Sequence, residues 1–540
     1  MAHARSLFVG QRQNPELWPA LLALLAGALQ AASLAWPVAT PAFLQGIGLA
    51  KGQPLWWGQS LALAVLLHLV LASPSPRRAA WCGWLFATAW LTGTFAWLFT
   101  SMHTYGGLAA PLAALAVLAL AALLALYYAG ALWCFKALSL VNKAQVAIIF
   151  IAFWVLAEMA RGMLLTGFGW GAVGYAHLDG PLAPALPWLG LYGVSALAAL
   201  LAVLFALMLQ ARSWAAVLQP ALALAAVLLL VQVLPAAKGT FTGTLSVTLL
   251  QGNIPQNEKF DQTSGVPNAL RWYGEQLNAS QASLIITPET ALALLPEQLP
   301  PGYWQALQQR FATGQQAALV GMPLGNYDTG YTNSVVGLKP GQTEPWRYDK
   351  HHLVPFGEFI PPLARWFTNL MNIPLGDFNR GGLAQPTFDW QGQRLATSIC
   401  YENLFSEELA AQFTDEAKAP TMLVNLSNLG WFGEHLAMDQ HLQIARLRAL
   451  EFDRPFLLAT NTGRTAVVDH LGRVTNALPN HVAQALQAKV QGREGVTPYA
   501  WWVARWGQWP VVLLAFLVVI SVLVFGGRTR RQYFKTHTGH

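Results

Sequence analysis

Hydrophobic and polar positions divide the chain into two regimes. Up to about residue 237, apolar residues run almost unbroken between short links that carry the charges, prolines and glycines. The runs 18–36, 56–73, 80–100, 111–137, 145–165, 183–209 and 214–235 are each near or above the ~20 residues that carry a helix across a bilayer. An eighth run, 508–526, follows much later. Between 238 and 498 the rhythm shortens. Strand-like runs at 245–250, 283–287, 317–321, 332–338, 394–399, 422–426, 456–459 and 466–469 alternate with helical periodicity at 267–278, 303–312 and 436–451. The pattern predicts an α/β layered domain inserted into an all-α membrane domain. The expected boundaries are 1–237 for seven spans, 238–507 for the inserted domain, 508–526 for the eighth span and 527–540 for a tail. The 356–393 connection is long, rich in proline and glycine, and apolar at Phe359, Ile360, Leu363, Trp366, Phe367, Leu370, Met371 and Ile373. Such a loop either dips into the membrane surface or packs on its own domain.

Composition agrees: of 540 residues, 54% are hydrophobic and only 11% charged, against about 25% charged in ordinary globular domains. The placement of charge adds an orientation. With eight spans and the N-terminus inside, the inner segments hold Arg5, Arg12, Arg77, Arg78, Lys136, Lys143, Arg212, Arg528, Arg530, Arg531 and Lys535, whereas the short outer loops hold chiefly Lys51 and Arg161. That asymmetry puts both termini in the cytoplasm and the inserted domain outside. The net charge of +7 comes largely from these flanks and calls for no nucleic-acid partner. Glu158 and Arg161, three residues apart near the outer end of the fifth span, form either a head-group site or an interfacial ion pair.

Three cysteines are present, and only Cys400 lies outside the apolar runs. An unpaired cysteine on an outward-facing domain is a candidate reactive thiol. Cys400 ends the 394–399 run, Glu289 follows the 283–287 run, and Lys350 sits in a polar loop. A strand-end carboxylate, a loop lysine and a strand-end thiol supply a base, a charge stabiliser and a nucleophile. Asn333, Tyr401, Asn428 and Trp431 are candidate pocket residues. The adjacent His351 and His352 lack the spacing of a helical metal site, and the pattern implies neither metal nor cofactor.

The motifs together resemble the nitrilase (carbon–nitrogen hydrolase) superfamily and, within it, the membrane-bound apolipoprotein N-acyltransferases. The resemblance is carried by Gln251-Gly252-Asn253-Ile254-Pro255-Gln256, Pro288-Glu289-Thr290-Ala291, the stretch from Tyr348 through Lys350 and Pro355-Phe356-Gly357-Glu358 to Phe359, Ile399-Cys400-Tyr401-Glu402, Ser427-Asn428 and Gln440-His441. Gly167-Phe168-Gly169-Trp170 and Gly174-Tyr175 carry it in the membrane half. It departs from the usual pattern at Phe260, Leu429 and Asp439. The resemblance implies a nitrilase-like αββα sandwich joined to eight transmembrane helices in the bacterial inner membrane, with a periplasmic catalytic domain. It implies a Glu289–Lys350–Cys400 triad, with Glu358 and Glu402 as accessory carboxylates and Tyr401 beside the nucleophile. The implied reaction moves an acyl chain from a phospholipid, through a Cys400 thioester, to the α-amine of the diacylglyceryl-cysteine of an apolipoprotein. The competing readings are a membrane-tethered amidase or ester hydrolase and a conjugation-associated paralogue.

Overall fold

The computed structural model describes residues 17–140, 142–326, 328–342, 344–360, 378–434 and 436–537. Every apolar run forms helix, but among the described residues four to six helices, against the eight expected, have the length and apolarity to cross a membrane. Ala110–Ala137, Lys143–Met163, Ala183–Leu209 and Trp214–Gln232 are long and apolar enough to cross a membrane. Two bent pairs raise the number to six: Pro76–Thr94 with Leu98–Tyr105, at 63°, and Pro498–Trp506 with Trp509–Val524, at 85°. Leu17–Ala32 and Trp56–Ala72 have only 16 and 17 residues, so at ~1.5 Å per residue they fall short of a ~30 Å hydrocarbon core. The run 80–100, read as one straight span, breaks after Thr94. These helices pack around a core that includes Trp90, Tyr128 and Trp154, whose rings contact one another.

The inserted domain is built from two six-stranded mixed sheets. One runs β12–β1–β2–β3–β4–β5 and contains β1 (Thr240–Gln251), β2 (Leu284–Ile286), β3 (Ala317–Asn326), β4 (Gly330–Leu338), β5 (Trp346–Asp349) and β12 (Gln484–Glu494). The other runs β11–β10–β9–β8–β7–β6 and contains β6 (Phe388–Trp390), β7 (Gln393–Ile399), β8 (Met422–Ser427), β9 (Phe456–Thr460), β10 (Ala466–Val468) and β11 (Val474–Ala477). In each sheet three central strands are parallel and the flanking strands antiparallel. Parallel neighbours need crossovers, which helices Gly265–Ala279, Tyr303–Thr313 and Leu436–Phe452 supply. Of these strands β5, β6, β11 and β12 are absent from the sequence expectation. The last two are mostly polar edge or near-edge strands with much exposed surface, so no apolar run betrays them.

Alternation along the strands fixes the layers. Leu245, Val247 and Leu249 of β1, Leu284 and Ile286 of β2, Val424 and Leu426 of β8, and Leu457 and Ala459 of β9 share one core between the sheets. Their intervening neighbours face outward. Ile285 and Val320 pack beneath the helices of the first sheet, and Leu423, Phe456 and Leu458 beneath Leu436–Phe452 and Pro498–Trp506. A period of two makes the sandwich two sheets thick with helices on both outer faces. Most of the apolar arm, from Leu363 to Ile373, lies outside the described residues.

Candidate active site

Open α/β sheets gather loops at the carboxyl ends of their parallel strands. Here the facing ends of the two sheets meet. Glu289 lies just beyond β2, Cys400 directly follows β7, and Asn428 directly follows β8. Lys350 directly follows β5, so it occupies a strand end and not the open loop expected from its polar neighbours.

The Lys350 ammonium is almost fully buried and bridges two carboxylates, 2.8 Å from Glu358 Oε1 and 3.4 Å from Glu289 Oε1. Asn333, on β4, donates from Nδ2 to the same two oxygens, at 2.7 Å to Glu289 and 2.9 Å to Glu358. Each carboxylate has a further donor: the Asn428 amide reaches Glu289 Oε2 at 2.9 Å, and the Val354 amide reaches Glu358 Oε2 at 2.8 Å. Burial works against the lysine's charge, but Glu358 and Glu289 outweigh it and hold the ammonium protonated above its ordinary range.

Cys400 adopts φ 52°, a left-handed conformation uncommon outside glycine. Its carbonyl accepts from Asn425 Nδ2 at 3.1 Å, and its thiol interacts with the Ser427 hydroxyl. Cys400 stays partly accessible. Its crowded surroundings and the Glu289 carboxylate nevertheless push the thiol up to about 12, against the pull of Lys350. At neutral pH the resting group is therefore a thiol, and it needs a base to become a nucleophile.

Glu402 ties these elements together. Its Oε2 accepts from the Ile399 amide at 2.6 Å and the Tyr348 hydroxyl at 2.9 Å, and its Oε1 from the His351 and His352 amides at 2.6 Å and 3.1 Å. Burial pushes its carboxyl upward, countered by Lys350 and by these amides. Facing four donors, it is held as a carboxylate that joins the residue before Cys400 to those flanking Lys350.

Tyr401 points away from this cluster and donates to Gly167 O at 2.8 Å, in the membrane half. Trp431 packs edge-on against Tyr105 at 5.5 Å and takes no part in the carboxylate–lysine network described here. Asn428 is fixed within a buried amide chain, donating to Gln256 Oε1 at 2.7 Å and accepting from Asn461 Nδ2 at 3.2 Å. Glu158 and Arg161 are fully buried, so neither alternative for them survives. Arg161 donates to Tyr128 Oη at 3.0 Å and to the carbonyls of Phe168 and Trp170; Glu158 accepts the Val173 amide at 2.8 Å. Sequence reading passed over Lys259 and Asn461, and it gave no role of its own to Gln256, which closes the Gln-Gly-Asn-Ile-Pro-Gln motif, or to Asn425, which lies in the strand that ends before Asn428.

The family described as "Apolipoprotein N-acyltransferase N-terminal domain" matches residues 42–204, and that described as "Carbon-nitrogen hydrolase" matches residues 246–499. A protein of Verminephrobacter eiseniae named "Apolipoprotein N-acyltransferase" is 53% identical over 522 residues, covering 92% of this chain and 95% of its own. Proteins of the same name from Ralstonia nicotianae and Bordetella bronchiseptica are 43% and 41% identical, covering 87% and 88% of this chain and 89% and 92% of theirs.

Proposed function

The chain belongs to the apolipoprotein N-acyltransferase family, and from that premise we propose how its own residues carry out lipoprotein N-acylation. Glu289 takes the Cys400 proton as Sγ attacks the ester carbonyl of a phospholipid. The Lys350 ammonium, with the Tyr401 amide, balances the charge that develops on the carbonyl oxygen. Glu289 returns the proton to the departing glycerol oxygen, so a lysophospholipid leaves and a Cys400 thioester remains. The α-amine of a diacylglyceryl-cysteine then attacks the thioester, loses its proton to Glu289, and becomes the amide as the thiol re-forms.

The observation that carries this reading is the convergence of a carboxylate, a doubly clasped lysine and a strained thiol-bearing turn at the facing ends of two sheets. Glu358 and Asn333 act here through Lys350 and Glu289, and Glu402 through the two loops it joins. Asn428 orients Glu289 through its amide. Trp431, beside Tyr105, is kept as a substrate-binding residue of this reading. The reading keeps the catalytic domain at 238–507, facing the periplasm, with both termini cytoplasmic. It also keeps eight membrane-embedded helical segments, the two shortest thinning or tilting the surrounding lipid. Two lipid-anchored substrates suit such an enzyme, because confinement beside the membrane supplies orientation and effective concentration.

The test uses full-length protein in lipid vesicles, a phospholipid with a labelled acyl chain, and a diacylglyceryl-cysteine peptide. The wild type should carry hydroxylamine-labile label that moves to the peptide amine, and Cys400→Ser should carry none. Label released only as free fatty acid would mean hydrolysis. Undiminished peptide labelling by Cys400→Ser would end the assignment of the nucleophile.

A further inference from the structure

A second lysine reaches the same site from a different element. Lys259 lies in the turn that follows β1, where its amide donates to Pro255 O at 2.9 Å. The residue is only 3% exposed, and its ammonium donates to the backbone carbonyl of Glu289 at 3.0 Å. That hydrogen bond is the only one described for Nζ, and among the described residues Lys259 joins no ion pair. A buried ammonium held by a single neutral carbonyl is costly unless negative charge lies nearby. The nearby negative charge belongs to Glu289 and, once ionised, Cys400.

The segment that Lys259 grips is under constraint from its other side. Thr290, next to Glu289, has φ 50°. A Cβ placed on Gly321 of β3 would lie 2.1 Å from Pro288 O and 3.0 Å from Glu289 Cα, so strand β3 presses directly on this turn. The Glu289 peptide is thus held between β3 and the Lys259 ammonium. Its side chain is fixed separately, by Lys350, Asn333 and the Asn428 amide.

Building on the acyl-transfer reading above, we propose that Lys259 is a positioning residue for that reaction. It fixes the backbone of the base Glu289, and its charge joins that of Lys350 in balancing the negative charge shared by Glu289 and Cys400. The two lysines divide the work. Lys350 meets the carboxylate oxygens, whereas Lys259 meets the peptide that carries them. Burial lowers Lys259 to about 8, only partly offset by Glu289 and Cys400, so ionisation of the thiol and the charge on this lysine are coupled.

The test measures Cys400 alone, in full-length protein in lipid vesicles with Cys82→Ala and Cys134→Ala to remove the other thiols. Two quantities are followed: the pH dependence of alkylation by iodoacetamide and the rate of thioester formation from labelled phospholipid. The charged or titratable groups that act on the thiol are Glu289 at the end of β2, Lys350 and Glu358 beyond β5, and Lys259 itself. The hydroxyl of Ser427, which closes β8, also acts on it. Lys259→Met should move the alkylation midpoint up by about one pH unit, a tenfold loss of thiolate at a given pH. It should also slow thioester formation about 10- to 100-fold with the phospholipid KM within about twofold. Lys259→Gln keeps a donor for the Glu289 carbonyl, so it should regain part of the rate while showing the same midpoint shift. If Lys259→Met fails to fold, that variant carries the test. A midpoint and rate unchanged within twofold in Lys259→Gln and any folded Lys259→Met would overturn the inference and leave the acyl-transfer reading intact. No hydroxylamine-labile acyl label on the parent protein, whose sole cysteine is Cys400, would overturn the reading itself.

Discussion

Both halves of the molecule bury polar groups, and they use them differently. In the α/β half, buried carboxylates, an amide and a lysine converge on one cluster, Glu289, Glu358, Asn333 and Lys350, whose charges act on Cys400. In the membrane half, buried polar groups hold backbone. Arg161 grips the carbonyls of Phe168 and Trp170, Glu158 the amide of Val173, and Ser195 the amide of Gly174. The segment they hold, 164–178, meets the α/β domain beside Cys400. Tyr401 donates to Gly167 O, the Trp170 indole donates to Gln440 at 2.7 Å, and Trp170 stacks on His441, which lies 3.5 Å from the Cys400 carbonyl. The membrane half thus contacts one side of the Cys400 turn, and embedded charge serves that loop's architecture.

The contrast between the two halves is sharpest at Glu289. Glu289→Gln preserves size and can still meet Lys350 and the Asn428 amide weakly, but it cannot take a proton. Thioester formation should fall by about 10³-fold, while thermal unfolding in detergent moves by no more than about 2 °C. A large loss of stability in this variant would mean that the site network holds the fold as well as the chemistry, and the contrast between the halves would break.

How much of this was legible in sequence depends on what each residue needs locally. Cys400 and Glu289 stand at the ends of apolar runs, so both were readable as strand-end groups. The strand before Lys350, Trp346–Asp349, hides because only Tyr348 in it is buried. Lys259 was invisible: its role comes from a contact with Glu289, 30 residues away, and the isolated turn Asn257-Glu258-Lys259 reads as solvated surface. Arg161 and Glu158 were found as unusual but misread. Their partners are backbone groups of a loop whose path no periodicity foretells. Among the described residues four to six helices, not eight, have the length and apolarity of a span, because apolarity marks a helix without giving its usable length or its bend.

Arg161→Met is expected to have the next largest effect. It removes the donors to three oxygens in a site from which water is excluded, at a cost of about 3 kcal/mol. Here the thermal transition should drop clearly. Thioester formation by the protein that remains folded should fall about tenfold, because Gly167 and Trp170 no longer hold Tyr401 and His441 in place. Arg161→Lys should restore little, since a single ammonium cannot reproduce the planar fork that reaches separate carbonyls. Wild-type stability with a tenfold slower reaction would instead assign Arg161 to the chemistry. Wild-type values of both would remove the membrane half from the positioning of Cys400.

The smallest expected effect tests whether charge, as distinct from packing, holds the halves together. Arg446 of the Leu436–Phe452 helix forms a two-pronged ion pair with Asp179 of the membrane half, one arm at 3.0 Å to Oδ2 and the other to Oδ1. Asp179 keeps 43% of its side chain exposed, so water and salt screen the pair, and it is worth no more than about 1 kcal/mol. The same helix also meets the membrane half through buried contacts. Gln440 accepts from the Trp97 and Trp170 indoles, and Gln443 donates to Gly52 O at 2.6 Å. Asp179→Asn should therefore change acyl-transfer rate by less than about threefold, and even that difference should fade at high salt. Gln440→Leu leaves two buried indole donors unpaired and should cost more. If Asp179→Asn proves the more damaging of the two, the interface is electrostatic, and the buried amides of Gln440 and Gln443 are bystanders to catalysis.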